Sequence, residues 1–213
     1  MTALRGRRVL QPGERLFQIA SQLILYHDMQ SIAFDVVKGR PAKSFVYGHY
    51  ANHVSTLFGV CVQMPIYYPF VASFNPALAG PLELTIFDGG MPPGLDEHTS
   101  HVMGAATLMI WSIAFVFFYE QQLDGMTAKF GERRDDWPEI ARFAWALRNA
   151  AAHNGALHFT NRATKPVRWH HVCYDPQDNG KKVIGDVMKP ADVLIFLIEF
   201  SDELDRLGVP LPN

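Results

Sequence analysis

Cysteine is scarce in this chain: Cys61 and Cys173 are its only two. Two thiols cannot make a disulfide framework, and they fit a reduced, cytoplasmic protein. Charge is also sparse, at 19% of residues with a formal net charge of −2. That balance excludes a general electrostatic grip on nucleic acid, so any such site must be a local basic patch. The opening stretch MTALRGRRVLQPGERLF is basic but carries no apolar run, unlike a secretory signal. No G-x-S-x-G is present, Asp88-Gly89-Gly90 lacks the lysine of a phosphate loop, and neither cysteine sits beside a basic helix start. These absences remove the common serine, phosphate-loop and thiol chemistries. No internal repeat or low-complexity tract is visible.

What remains is an apolar chain, 48% hydrophobic over 213 residues, long enough for one well-buried core. The pattern predicts a single, all-α helical domain over 1–213, with one small β-hairpin before the last helix. Residues 1–11 read as a flexible arm. A helix is expected from Pro12 to about Lys38, on the spacing of Leu16, Ile19, Leu23 and Tyr26, and a second from Lys43 to Met64, ending before Pro65. The proline-rich stretch 65–95 reads as an irregular insertion, in which Leu82–Phe87 has the composition of a short strand. A long helix follows from about Asp96 to Leu123. Its segment Val102–Tyr119 holds eighteen residues without a charge, which meets the lower bound for a membrane span. Its flank His98-Thr99-Ser100-His101 lacks a Lys/Arg anchor, so the expectation is a helix buried all round in a bundle, with no membrane contact.

The stretch WPEIARFAWALRNAAAHNG, Trp137 to Gly155, organises the rest. Asp136 with Glu139 has the form of a capping box, Pro138 suits a first turn, and Gly155 suits a left-handed stop. Beyond it, Val167–Tyr174 alternates as a strand does. Asp175–Gly180 supplies a turn and Lys181–Ile184 is expected to return as the partner strand, giving a hairpin over 167–184. A last amphipathic helix starts at Pro190, buries Val193, Leu197, Phe200 and Leu204, and ends at Gly208 and Pro210.

The candidate chemistry lies in Arg148-Asn149-Ala150-Ala151-Ala152-His153. On a helix, Arg148 and His153 point about 140° apart, whereas Asn149 and His153 share a face with Trp145. The three alanines leave room for a second helix, so a two-fold pairing near Trp145, Asn149 and His153 would gather two arginines and two histidines. The charge distribution agrees: residues 129–182 hold ten basic and six acidic side chains. Imidazole can move protons near neutral pH, and a guanidinium can hold a phosphate through two donors. This chemistry requires no metal and no cofactor. The alternative for each residue is structural: Arg148 paired with a carboxylate, and His153 closing a helix.

Arg148, Asn149 and His153 together resemble the signature of the HEPN domains, in which an arginine, often followed by a polar residue, precedes a histidine by a few positions. The resemblance covers roughly residues 96–208. It implies a HEPN-like helical bundle that forms a homodimer and acts as a metal-independent endoribonuclease. In such an enzyme RNA is cleaved through the 2′-hydroxyl at a composite site, as in toxin, defence or RNA-processing systems, with an antitoxin protein as a further partner. Arg148, Asn149 and His153 would be catalytic, and Arg142, Lys181 and Lys182 would bind substrate. Two other readings stand beside it. One is a non-catalytic dimer binding a nucleotide, RNA or protein. The other is a metal protein using His49 and His53, at i and i+4 of a helix, with His98 and His101.

Overall fold

The computed structural model describes residues 6–37, 50–65, 80–89, 100–159 and 165–212. The chain divides into two compact units, Met1–Leu95 and Asp96–Asn213.

The first unit corrects the all-α expectation. Four strands, β1 (Gly6–Leu10), β2 (Tyr50–Ser55), β3 (Val60–Pro65) and β4 (Leu82–Asp88), form one antiparallel sheet in the order β1-β4-β3-β2. Helix α1 (Phe17–Val37) lies within the expected first helix. Within the arm expected over residues 1–11, Gly6–Leu10 is instead an edge strand of the described sheet, with Leu10 opposite Leu82 and Arg8 opposite Leu84; residues 1–5 lie outside the described residues. The irregular insertion likewise contains β4, where Leu82, Leu84 and Ile86 are buried and alternate with half-buried Glu83, Thr85 and Phe87. That period of two is the strand signature.

The expected helix over 43–64 is also overturned. Its second half is the β2–β3 hairpin, paired from Tyr50 opposite Pro65 to Ser55 opposite Val60. Gly59 takes a left-handed φ of 63° in the connecting turn, and Ser55 Oγ accepts the Phe58 N–H at 3.0 Å. A helix cannot pass through such a turn, and Val54, Val60 and Val62 favour the pleated surface. Of the four histidines read as possible metal ligands, His53 lies on β2 and His101 on the helix that starts at Ser100, while His49 and His98 lie outside the described residues.

Among the described residues the second unit holds three α-helices, α2 (Ser100–Phe130), α3 (Glu139–Ala152) and α4 (Pro190–Arg206), and a two-stranded ribbon of β5 (Val167–Trp169) and β6 (Val172–Tyr174). In α2 the buried positions Trp111, Phe115, Phe118, Gln122 and Met126 follow one helical stripe. The helix is not buried all round: Met109, Ile113 and Phe117 are 58%, 56% and 48% exposed, at i, i+4 and i+8. Uniform apolarity had hidden which side faces the core. Among the described residues no helix is long and apolar enough to cross a membrane.

Phe196 of α4 is the common contact of this unit. Its ring centroid lies 5.8 Å from Phe115 of α2, 5.3 Å from Phe143 of α3, 5.1 Å from Trp169 of β5 and 5.7 Å from Phe200. Phe143 extends the cluster to Tyr174, stacked at 6.2 Å. Helix α4 starts at Pro190 and buries Val193, Leu197, Phe200 and Leu204, as its pattern predicts.

The ends of α3 differ from expectation in detail. Pro138 is its N-cap and no side chain caps it. Asp136 ends a 3₁₀ turn and pairs with Lys165 at 3.3 Å instead. At the other end His153 is the C-cap, Asn154 takes φ 56°, and the Gly155 N–H donates to Ala150 O at 2.7 Å. This is a Schellman ending with Asn154, not Gly155, in the left-handed position after the cap.

The hairpin boundaries shift as well. Val167–Tyr174 is the whole ribbon, turning at His170-His171, and Lys181–Ile184 does not return against it. That segment pairs with the chain leaving α3. Val183 and Ile184 N–H groups donate to Gly155 O, Leu157 N–H donates to Lys181 O, and Ala156 sits opposite Lys182. Gly155 has φ 82°, and a Cβ there would stand 2.5 Å from Ile184 O. Gly155→Ala should therefore lower stability by at least about 2 kcal/mol, combining backbone strain with a backbone clash. Gly180→Ala, at φ 87° with open space, should cost only about 1 kcal/mol. Urea unfolding of both variants checks this, and equal losses would refute it.

Candidate functional site

The site is built where α3 stops. Asn154 and Gly155 reverse the chain, so that 156–158 runs beside 180–182, joined by an isolated antiparallel bridge between Ala156 and Lys182. The turn leaves His153 exposed at the helix C-terminus, its N–H shared between Asn149 O and Ala150 O at 3.0 Å each. Its imidazole stacks on that of His158, with centroids 4.2 Å apart and planes inclined by 29°.

Arg148 lies one turn earlier and faces α2. Its Nε donates to Glu120 Oε1 at 2.6 Å, Nη2 lies 2.6 Å from the same oxygen, and Nη1 reaches Asn149 Oδ1 at 3.4 Å. A third of its side chain stays exposed. Among the described residues no hydrogen bond or ion pair joins Arg148 to His153. Arg148 and Asn149 are therefore coupled directly, while His153 is grouped with His158.

The three cations expected to bind substrate separate. Arg142 Nη1 donates to Pro166 O at 3.0 Å and fastens the chain entering β5. Lys181 Nζ lies 5.2 Å from the Tyr174 ring centre and 3.6 Å from Asp178 Oδ1. Lys182 is exposed and has no ion pair among the described residues. Because it sits opposite Ala156, and Leu157 beyond is buried, the period of two places His158 on the face of Lys182. The pairing thus puts His158 and Lys182 on one face, and His153 joins them through its stack on His158.

Trp145 does not lie on an exposed face with Asn149 and His153. It is 9% exposed, packs edge-on to Phe159 at 6.5 Å, and lies beneath the Arg134 guanidinium at 5.7 Å. The segment carrying Phe159 and the turn carrying Arg134 cover it within the chain.

Two features went unread in the sequence. His158 lies five residues past His153, and only the reversal at Asn154-Gly155 makes them neighbours. Glu199, midway along an apolar-looking helix, accepts Trp169 Nε1–H at 2.7 Å, and His170 Nε2 lies 2.9 Å from the same carboxylate oxygen. These bonds hold the ribbon tip, where His170 has a left-handed φ of 50°. No sequence spacing relates Glu199 to residues about thirty positions earlier.

Among the described residues no cluster of three or more His, Cys, Asp or Glu side chains is placed to hold a metal ion. Cys61 is buried, and burial pushes its thiol up, away from the thiolate a nucleophile needs, though a hydrogen bond with the His53 backbone offsets part of this.

Tyr119 sits behind Arg148. Burial pushes its hydroxyl up to about 12, with Arg134 lowering it, Glu120 raising it and Arg148 lowering it. The hydroxyl has no hydrogen-bond partner among the described residues. A tyrosine raised above its unfolded value contributes stability that is complete below pH 10 and lost as pH climbs through about 12, since only the unfolded chain releases the proton in between. Stability should fall over that window by about 1.4 kcal/mol per pH unit for this group. Tyr119→Phe should remove that share while costing little at pH 7, because no hydrogen bond is lost. Urea titrations from pH 8 to 12 give the slopes; identical slopes in both proteins would show that Tyr119 does not contribute.

Against family models, curated proteins and solved structures alike, the chain has no match.

Proposed function

We propose that the protein is a metal-independent endoribonuclease, with Arg148, Asn149 and His153 at its centre and Lys182 as the nearby phosphate cation. The observation that carries this reading is the end of α3. Two guanidinium nitrogens of Arg148 converge on one carboxylate oxygen of Glu120, and Nη1 donates to Asn149. An exposed imidazole follows within the next five residues, at the helix terminus. The motif's resemblance to the HEPN signature supports the same activity.

The chemistry is transfer of the RNA phosphodiester to its own 2′-hydroxyl. His153 would exchange protons with a reacting oxygen. Arg148 would stabilise charge growing on the phosphate through Nη1, which would exchange its 3.4 Å bond to Asn149 Oδ1 for a phosphate oxygen while Nε and Nη2 stay on Glu120. Glu120 fixes the guanidinium plane, so Arg148 need not lose rotamer freedom on binding. No metal or cofactor is needed in this scheme. Arg142 and Lys181, engaged with Pro166 and Tyr174, take secondary parts in substrate binding.

The active form in this proposal is a homodimer in the cytoplasm, with an antitoxin protein as a further partner. The free thiols Cys61 and Cys173 fit a reducing compartment. Met109, Ile113 and Phe117, exposed in one stripe of α2, offer apolar surface that self-association would use. Sedimentation of the wild type at micromolar concentration should give twice the chain mass; a monomer would end the dimer proposal.

His153→Ala and Arg148→Ala should each lower cleavage by about 10²–10⁴-fold with the circular dichroism spectrum unchanged, since both side chains lie at the surface of α3. The assay is labelled single-stranded RNA in EDTA, with product ends inspected for 2′,3′-cyclic phosphate. If the wild type cuts no member of a broad RNA pool, the protein is not this enzyme, and a dimeric nucleotide- or protein-binding role replaces it. If His153→Ala cuts at the wild-type rate, the activity belongs elsewhere.

A further inference from the structure

We infer that His158 is a second catalytic residue, forming with His153 an acid–base pair inside one protomer. This rests on the ribonuclease reading above and deepens it. Three observations converge. The two imidazoles are stacked, 4.2 Å between centroids. Both belong to exposed residues on either side of the Asn154-Gly155 reversal, which fixes their backbones through the Gly155 N–H to Ala150 O and Phe159 N–H to Asn179 Oδ1 bonds at 2.7 and 2.8 Å. The antiparallel pairing of Ala156 with Lys182 puts an ammonium without a carboxylate partner among the described residues on the same face.

Cleavage through the 2′-hydroxyl needs two proton carriers, one for each oxygen that changes its bond to phosphorus. An arginine supplies neither, because it stays protonated. A single histidine would have to be joined by one from another chain; here the second is already adjacent. His153 takes the proton from the 2′-oxygen, which bonds to phosphorus as the bond from phosphorus to the 5′-oxygen breaks. The imidazolium of His158 gives its proton to that 5′-oxygen. The products are a 2′,3′-cyclic phosphate and a 5′-hydroxyl, and water returns the pair to its starting protonation. Lys182 faces the non-bridging oxygens. Exposed side chains change rotamer within nanoseconds, so the stack parts to admit the phosphate between the two rings and closes when the products leave.

The test uses the full chain and two substrates: a short RNA with one ordinary cleavable linkage, and the same RNA with sulfur replacing the 5′-oxygen there. A thiolate leaves without a proton, so the sulfur linkage has no need of the general acid. His158→Ala should lose about 10²–10⁴-fold on the ordinary RNA and recover to within tenfold of wild type on the sulfur RNA. His153→Ala should lose activity on both. Circular dichroism of each variant excludes loss of fold. If His158→Ala cuts the ordinary RNA as fast as wild type, His158 is not catalytic, although the ribonuclease reading stands. If it is slow on both substrates, His158 is not the acid. If the wild type cuts neither RNA, both this inference and the ribonuclease reading fall.

Discussion

The packing of Phe196 is the constraint on which the second unit depends. One side chain on α4 touches Phe115 of α2, Phe143 of α3 and Trp169 of the ribbon, at centroid distances of 5.1–5.8 Å. Aromatic pairs at such distances contribute beyond simple burial, and a close-packed cluster admits little adjustment when one ring moves. The consequence reaches the surface. With Phe143 locked, α3 is fixed about its axis; Arg148 then faces Glu120 of α2, and the helix ends with His153 in the open.

The end of α3 converts that rigid packing into a site. A helix terminus leaves carbonyl groups without intrahelical donors, and here the Gly155 and His153 N–H groups satisfy those of Ala150 and Asn149. The same reversal starts an extended segment whose backbone is completed by residues 179–184. One local problem, stopping the helix, is solved in a way that carries His158 back to His153 and lays Lys182 beside them. Gly155 is central to this. Its φ of 82° and its approach to Ile184 O leave no room for a side chain, while its own carbonyl accepts from both Val183 and Ile184.

Arg148 has a structural partner in Glu120 as well as the part in catalysis proposed for it. Its ion pair with Glu120 is more than a third exposed, at 34% and 39% for the two side chains, and pairs of that kind contribute at most about 1 kcal/mol. The contact is thus a weak reason for placing an arginine there on grounds of stability. As an orienting device it is stronger, because two guanidinium nitrogens on one carboxylate oxygen hold the group while its remaining edge turns to Asn149.

The sequence by itself determined the helices whose periodicity is strong or whose ends are marked. The first helix, α3 and α4 were legible from apolar spacing and end signals such as Pro190 and Gly208; α2 was legible as an uncharged run, though it extends to Phe130 and is exposed on one side, and Leu82–Phe87 only as a possible strand within a stretch expected to be irregular. The motif Arg148-Asn149-His153 was legible as a pattern of chemistry. Tertiary structure decided the rest. The apolar run from Val54 to Met64 suits a helix or a strand equally, and only pairing with β4 and the turn at Gly59 selects strands. The N-terminal arm became a strand because an edge of β4 was there to receive it. The partner of Lys181–Ile184 is chosen by backbone hydrogen bonds to residues 155–157, which no side-chain pattern encodes. For the same reason His158 could not be read as a neighbour of His153. Helical spacing relates residues within one helix, whereas these two face each other across a chain reversal, and that proximity arises only once the backbone has closed on itself.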